Sequence, residues 1–568
     1  MKSRVSYLFI TVFLCIGGYI VFQGITKTEY IVQGYAMENI ADEWKSTISY
    51  SVNNNGFSLY VDGVEINAKK HGIYMDTSMT LMIPYTEYRG LFNCAVNFYE
   101  EDKRLVIEKA NVEIELKPDS NEITVNGAKY VLTTPLTYKD DMLYVPIDAA
   151  VRGMGYMCSW DINKNIATVI NDNPENTILP YRYSYVDKGK NTEVRSQGSL
   201  GTCWATAALT ALETSLMPEE RLVFSADHMS LNNSFNLNQY EGGSSTMSTA
   251  YLLAWQGPVL EADDPYGDGM TNPDLKPVKH VQEVQMLESK DLQKIKEMVY
   301  KYGGVQSSLY TTMLNSYDYS KYYNEKTNSY CYLGGEKPNH DIVIIGWDDN
   351  YPKEYFNADI ESDGAFICQN SWGTDFGENG IFYVSYYDSN IGMHNIVYTR
   401  VEDVDNYARI YQSDLCGWVG RLGYEKEEAY FANAYTAGES GFISAAGFYA
   451  TGVNTEYEVY ICTNFSDSSS LNGDLIKTAE GVLANEGYYT IDFDEIVKVD
   501  AGQKFAVMVK INTPGAKKPV AVEYVSDHFT KTVDITDGEG YVSADGKEWV
   551  NTEQSYSCNI CLKCYTRK

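Results

Sequence analysis

The sequence predicts a multidomain chain: a duplicated α+β module, an α+β domain built around one cysteine-bearing helix, and an all-β sandwich. Three observations predict it. Two segments near the N-terminus echo each other at an offset of about 62 to 64 residues. A glycine-rich turn, Gln197 to Cys203, runs into a helical apolar pattern, and apolar strands follow it. From Tyr411 onward, short alternating runs recur between Gly, Asn and Asp turns. A length of 568 residues gives room for about three or four domains. A 44% hydrophobic content and a formal net charge of -32 suit an ordered, soluble, exported surface. That charge argues against a nucleic-acid partner, because phosphate contact requires basic surface.

Residues 1–26 break the pattern. Lys2 and Arg4 precede an uncharged run from Val5 to Phe22, and no small-x-small cleavage site follows it. Cys15 has Leu14 before it, where a lipoprotein signal needs a small residue. The segment is read as a signal-anchor in preference to a cleaved signal, so a membrane is an expected partner and the rest of the chain is exported. The eleven cysteines are scattered apart from Cys558, Cys561 and Cys564. Cys558, Ile560, Leu562 and Cys564 alternate with Asn559, Cys561 and Lys563, which reads as a closing strand and not as a metal cluster. No obligatory disulfide framework and no catalytic cofactor or metal are expected.

The duplicated module spans 51–173. Val61-Asp62-Gly63 returns as Val125-Asn126-Gly127, a two-residue hairpin signal each time. Leu81-Met82-Ile83-Pro84 returns as Leu143-Tyr144-Val145-Pro146. A short helical stretch follows each, ending at Arg89-Gly90 or Arg152-Gly153, and alternating strands close each copy. These segments resemble the copper amine oxidase N-terminal domain, a wall-associated α+β stalk. His71 is the module's only histidine, so nothing in its composition calls for copper. A turn-rich linker, Asp172 to Asn176, ends the module.

In the next domain, 179–405, Cys203 stands at the start of a helix whose Ala208, Leu209, Leu212 and Leu216 form one apolar stripe. A thiol there meets free N–H groups and the positive end of the helix dipole, both of which favour the thiolate nucleophile. The amide of Gln197 and the N–H of Cys203 can serve an oxyanion formed beside the sulfur. The alternative is a buried core cysteine. Phe224-Ser225-Ala226-Asp227-His228 is read as the cap of a second helix, Gly242-Gly243 permits close backbone approach to a ligand, and 289–302 is an amphipathic helix. Asn339-His340 heads a continuous apolar strand, and Asn370 ends another. An Asn carbonyl can accept the second N–H of the histidine and fix its tautomer. Cys, His and Asn in that order over about 170 residues form one signal.

Gln197-Gly198-x-x-Gly201-x-Cys203-Trp204, the Gly242-Gly243 pair, Asn339-His340 and Asn370-Ser371-Trp372-Gly373 together resemble the papain-like cysteine peptidases. The resemblance implies a two-lobed α+β peptidase domain. Cys203 would be its nucleophile, His340 its base and acid, Asn370 the orienting residue, and Gln197 part of the oxyanion hole. Gly242 and Gly243 would pair with an extended substrate backbone, and Trp372, counted with the substrate-binding residues, would shield the Asn370–His340 bond from water. The loops around Ser244, Ser245 and Asn339 would shape the side-chain pocket. Leu200 and Phe376 stand where many members have Cys and Trp, and a conventional helical prosegment is missing.

The last domain, 411–568, is expected as a sandwich of strands such as Gly441 to Ala445, Tyr457 to Ile461 and Lys504 to Val509. Asp414, Tyr430 to Asn433 and Tyr457 to Tyr460 resemble the lectin-like domain that follows papain-like domains in bacterial surface proteases. A cell-wall polymer or glycan is the partner this implies. Asp492 to Glu495 is expected as an acidic loop, read as a solvated turn in preference to a calcium site. The expected activity is cleavage of protein or peptide substrates outside the cell membrane or in the wall. The rivals are an adhesin on a dead peptidase fold and a Cys–His peptidoglycan hydrolase.

Overall fold

The computed structural model describes residues 57–171 apart from short gaps, 179–526 and 529–568, plus two strands at Tyr19–Phe22 and Glu29–Gln33. Residues 1–18, most of the expected signal-anchor, lie outside the described residues. No described helix is long and apolar enough to cross a membrane. The chain divides into two compact units, 1–181 and 182–568.

In the first unit the duplication takes the form of an exchange. Val61 pairs with Val64, and Val125 with Ala128, so both hairpins form where the turn signals stand. Asn126 and Gly127 take φ of 47° and 81°, the left-handed pair that a type I′ turn requires. The first hairpin, Ser58–Val61 with Val64–Ile66, lies beside the closing strands of the second copy, Tyr156–Asp161 and Ile166–Asn171. The second hairpin, Glu122–Val125 with Ala128–Val131, joins through Val112–Leu116 to the closing strands of the first copy, Ala95–Tyr99 and Arg104–Lys109. The matching strands Leu81–Pro84 and Met142–Pro146 pair with each other. Tyr88, Phe92, Ile114, Leu136 and Val145 therefore share one core, which neither copy could bury alone. His71 is bonded to Glu87 at 2.8 Å.

In the second unit, one lobe holds the helices Cys203–Leu216, Ala226–Leu231 and Ser245–Leu253. Ser225 caps the second of these, its Oγ accepting from His228 N at 3.0 Å. The cysteine helix is not amphipathic as its stripe suggested. Every residue from Trp204 to Thr214 is buried, because helices pack on one side and the sheet on the other. The other lobe is a sheet with Val305–Leu309, His340–Asp348, Ala365–Gln369 and Ile381–Ser385 among its strands. Asp291 caps the helix Leu292–Lys301 packed against it, accepting from Lys294 N at 2.9 Å.

This sheet does not stop at the lobe. His280–Leu287 pairs with Asn395–Glu402 on one side and with Glu486–Val499 on the other, so it continues into the C-terminal sandwich. The strands expected there form as Gly441–Ala450, Thr455–Cys462 and Lys504–Asn512. Cys558 to Cys564 is strand on both sides of a corner: Cys558–Ile560 pairs with Val520–Tyr524, and Leu562–Arg567 with Gly441–Ala450. The ten cysteines among the described residues are free thiols. Asp492 to Glu495 corrects the expectation of an acidic loop: it lies within the strand Glu486–Val499. Asp492 accepts from Arg400 at 2.7 Å, Arg567 at 3.1 Å and Tyr407 at 2.7 Å, so its charge is already matched. Among the described residues no group of three or more His, Cys, Asp and Glu side chains is placed to hold a metal ion.

Candidate active site

Cys203 is the first residue of its helix, and the helix N-terminus is left open by its surroundings. The Thr202 side chain does not cap it; its hydroxyl is bonded to Tyr266. Ala205 N and Thr206 N turn back to Thr202 O, which leaves the N–H groups of Cys203 and Trp204 directed at the sulfur. The N–H of Asp341 in the opposite lobe also reaches that sulfur. The strand headed by His340 thus meets the cysteine across the cleft. Burial pushes the Cys203 thiol up to about 12, the nearby Asp341 carboxylate adds to this, and the three backbone N–H groups pull it back.

His340 is buried, and its orientation is unambiguous. Asn370 Oδ1 accepts from Ser371 N at 2.8 Å and from His340 Nε2 at 2.7 Å. A carbonyl oxygen only accepts, so Nε2 carries the proton and Nδ1 keeps its lone pair. Burial lowers the His340 pKa below its ordinary value, with Asn370 and Asp341 acting against that shift. Trp372 stacks on the imidazole at 4.7 Å between centroids.

Gln197 is pinned at both ends of its amide. Oε1 accepts from Ser371 Oγ at 2.6 Å, and Nε2 donates to Leu200 O at 2.8 Å, leaving a second amide hydrogen. Its backbone N bonds to Ser371 O at 2.8 Å. The glycines serve packing. Gly201 N donates to Gln239 O at 2.7 Å, and a Cβ on Gly201 would lie 2.8 Å from Gly242 N. Gly242 has φ of 82°, and a Cβ on Gly243 would lie 2.4 Å from the Trp204 indole nitrogen. Asn339 differs from the other candidates: its side chain is closed on the Thr311 backbone, donating at 2.9 Å and accepting at 2.8 Å.

Three contributors carry no sequence motif of their own. Tyr266 donates to Gln197 O at 2.9 Å, and no periodicity or spacing points to it. The Asp341 carboxylate is held by Gln306 at 2.9 Å and Ser308 at 2.6 Å, a contact visible only once the two strands pair. Arg195 forms a buried ion pair with Glu213 of the cysteine helix, and Arg195 O accepts from Gly373 N at 2.9 Å. That pair ties the Gln197 turn to both lobes.

A helix-borne cysteine facing a sheet-borne His–Asn pair across two lobes defines a papain-like cysteine peptidase domain. Residues 179–401 match the family model described as papain family cysteine protease, 60–169 the copper amine oxidase N-terminal domain, and 410–566 the lectin-like domain. A cysteine protease of Blomia tropicalis is 26% identical over 232 residues, 39% of this chain and 65% of that protein. A viral cathepsin of Heliothis zea nuclear polyhedrosis virus is 27% identical over 36% of this chain and 52% of its own length. The chain therefore spans less than two thirds of either relative. Among solved structures, the clostridial cysteine protease Cwp84 after propeptide cleavage superposes with TM-score 0.61 at 26% identity, covering 68% of this chain and 99% of that one. A second structure contains the cysteine protease and lectin-like domains of Cwp84, a surface layer associated protein of Clostridium difficile. It gives TM-score 0.60 at 26% identity over 68% of this chain and 89% of that one.

Proposed function

We propose that this chain is an exported cysteine endopeptidase acting on surface or wall proteins. It would be held at the outer face of the membrane, or secreted, by means of residues 1–26. One observation carries the proposal: His340 is fixed by Asn370 in the tautomer that leaves a basic Nδ1, on the strand whose next N–H reaches the Cys203 sulfur. Burial disfavours an isolated thiolate and an isolated imidazolium alike, so the two charges form together when the Cys203 proton moves to His340 Nδ1. The thiolate then attacks the peptide carbonyl carbon. The oxyanion takes hydrogen bonds from Cys203 N–H and the second Gln197 amide hydrogen. Collapse of the tetrahedral species breaks the C–N bond, and His340 returns its proton to the leaving amine. Water, deprotonated by His340, hydrolyses the thioester and restores the thiol.

Gly242 and Gly243, besides their packing role, would pair with the upstream substrate backbone, and the Asn339 side chain would act by holding Thr311 next to the histidine. The sandwich would bring a wall glycan close to the cleft, and the duplicated module would act as a spacer. The test is labelling of the full chain by an epoxysuccinyl peptide, with turnover of casein and of peptidoglycan measured in parallel. Labelling at Cys203 and casein turnover, both lost in Cys203→Ala and His340→Ala, are the expected result. A folded chain that is neither labelled nor active on casein sinks the reading, and turnover of peptidoglycan alone replaces it with a wall hydrolase.

A further inference from the structure

The amine that leaves when the peptide bond breaks is protonated by His340 in the reaction above, so the downstream half of the substrate passes over the histidine side of the cleft. The segment from Tyr310 to Lys321 is fastened to that side at both ends. At its start is the two-bond clasp between Thr311 and Asn339, the neighbour of His340. At its end, Tyr323 stacks on Phe376 at 5.0 Å, Phe376 meets Trp372 edge-on at 5.0 Å, and Trp372 lies on His340. The turn between is braced from inside. Met313 and Ser320 are buried, Tyr317 N donates to Asn315 Oδ1 at 2.9 Å, and Leu314 N donates to Asp318 Oδ2 at 2.8 Å.

Its tip, by contrast, puts large apolar side chains into water. Leu314 is 77% exposed, Tyr317 83% and Tyr319 79%. The Tyr317 hydroxyl reaches Asp375 Oδ2 at 3.1 Å, in the turn that follows Trp372. Three such side chains grouped on one braced turn contribute nothing to the core, and a grouped exposed apolar patch marks a contact surface. Through Tyr317 and Asp375 the patch adjoins the turn that follows Trp372, the ring stacked on His340, and this position on the leaving side points to the substrate as its occupant.

We propose that residues 314–319 are a docking platform for the protein substrate downstream of the scissile bond. The platform takes apolar side chains, and the carboxylates of Asp318 and Asp375 select against acidic ones. The inference rests on the peptidase reading and adds to it a preference on the leaving side. It is tested in the full chain by replacing Leu314→Ser, Tyr317→Ser and Tyr319→Ser together, all at exposed positions. Two substrates share the same upstream sequence: an internally quenched peptide with several apolar downstream residues, and an amide whose leaving group is only a fluorogenic amine. Contacts remote from the reacting bond should raise kcat/KM for the first alone, so the variant should lose about tenfold on the peptide and nothing on the amide. In the parent, acidic downstream residues should lower turnover of the peptide. Equal losses on both substrates, or no loss on either, overturn the platform. A parent that turns over neither substrate and takes no epoxysuccinyl label defeats the peptidase reading, and the platform with it.

Discussion

Cys203, partly buried, and the fully buried cysteines of the closing strand are the same chemical group, and desolvation raises them alike, yet their neighbours differ. Burial pushes Cys203 up to about 12, Cys558 up to about 11 and Cys561 well above its ordinary value. Desolvation therefore does not separate them. Their neighbours do. Cys203 has three backbone N–H groups and the strand of a neutral imidazole across the cleft. Cys561 sits among Asp414 and Glu523, whose negative charges oppose a thiolate, while the nearby cation, Lys563, is already paired with Asp414 at 2.9 Å. Reactivity follows from partners that can share the charge, and burial alone yields an inert thiol.

Removing the thiol breaks this comparison most severely. Cys203→Ala should cut turnover by at least about 10³-fold to 10⁴-fold and abolish epoxysuccinyl labelling. Cys561→Ala should leave both unchanged, as read by mass spectrometry of the labelled chain. Next comes the ion pair on the inert side, where Lys563 and Asp414 are 1% and 0% exposed. Lys563→Met strands a buried carboxylate and should cost about 3–5 kcal/mol by urea denaturation. The fraction that stays folded should still be labelled at the parent rate, and a change in that rate would mean the sandwich acts on the site. Gln197→Ala should lower kcat by about 10²-fold to 10³-fold, or about 2.7–4 kcal/mol. An unchanged kcat would remove Gln197 from the oxyanion hole.

The smallest effects are those of pH, and they run in opposite directions in the two regions. His340 must be neutral to accept the thiol proton, and its pKa lies below the ordinary histidine value. Activity should therefore rise with pH through a value under about 6.5. Glu523 is raised to about 7 by burial first and by Asp414 second. Between its unfolded pKa near about 4.3 and that value, the folded chain binds more protons than the unfolded one. Stability should fall as pH rises across this window, and Glu523→Gln should flatten the fall in thermal midpoint. A midpoint that climbs with pH in both proteins would contradict the assignment.

Much of the molecule is legible in the sequence, for reasons that are local. The hairpin turns at Asn126 and Gly127, the helix start within 224–228, and the apolar strand after His340 each depend on residues within a few positions of one another. Cys203, His340, Asn370 and Gln197 stood out because few residue types can do such chemistry and because their order along the chain is distinctive. The exchange of hairpins between the two stalk copies was not legible, since each hairpin pattern fits either set of closing strands. The fusion of peptidase domain and sandwich into one sheet was hidden likewise, because a strand such as His280–Leu287 carries no mark of which neighbours it takes.

The sequence by itself determined the order of the three regions, the helix and strands that carry the candidate residues, and the residue types available for chemistry. Tertiary structure alone decided that Asp341 N–H meets the cysteine sulfur, that Ser371 and Tyr266 hold Gln197, and that Asp492 is matched by two arginines within a strand. The physical reason is distance along the chain. Turn, cap and periodicity signals act between residues a few positions apart, whereas hydrogen bonds and charge pairs join groups whose separation in sequence says nothing of their separation in space.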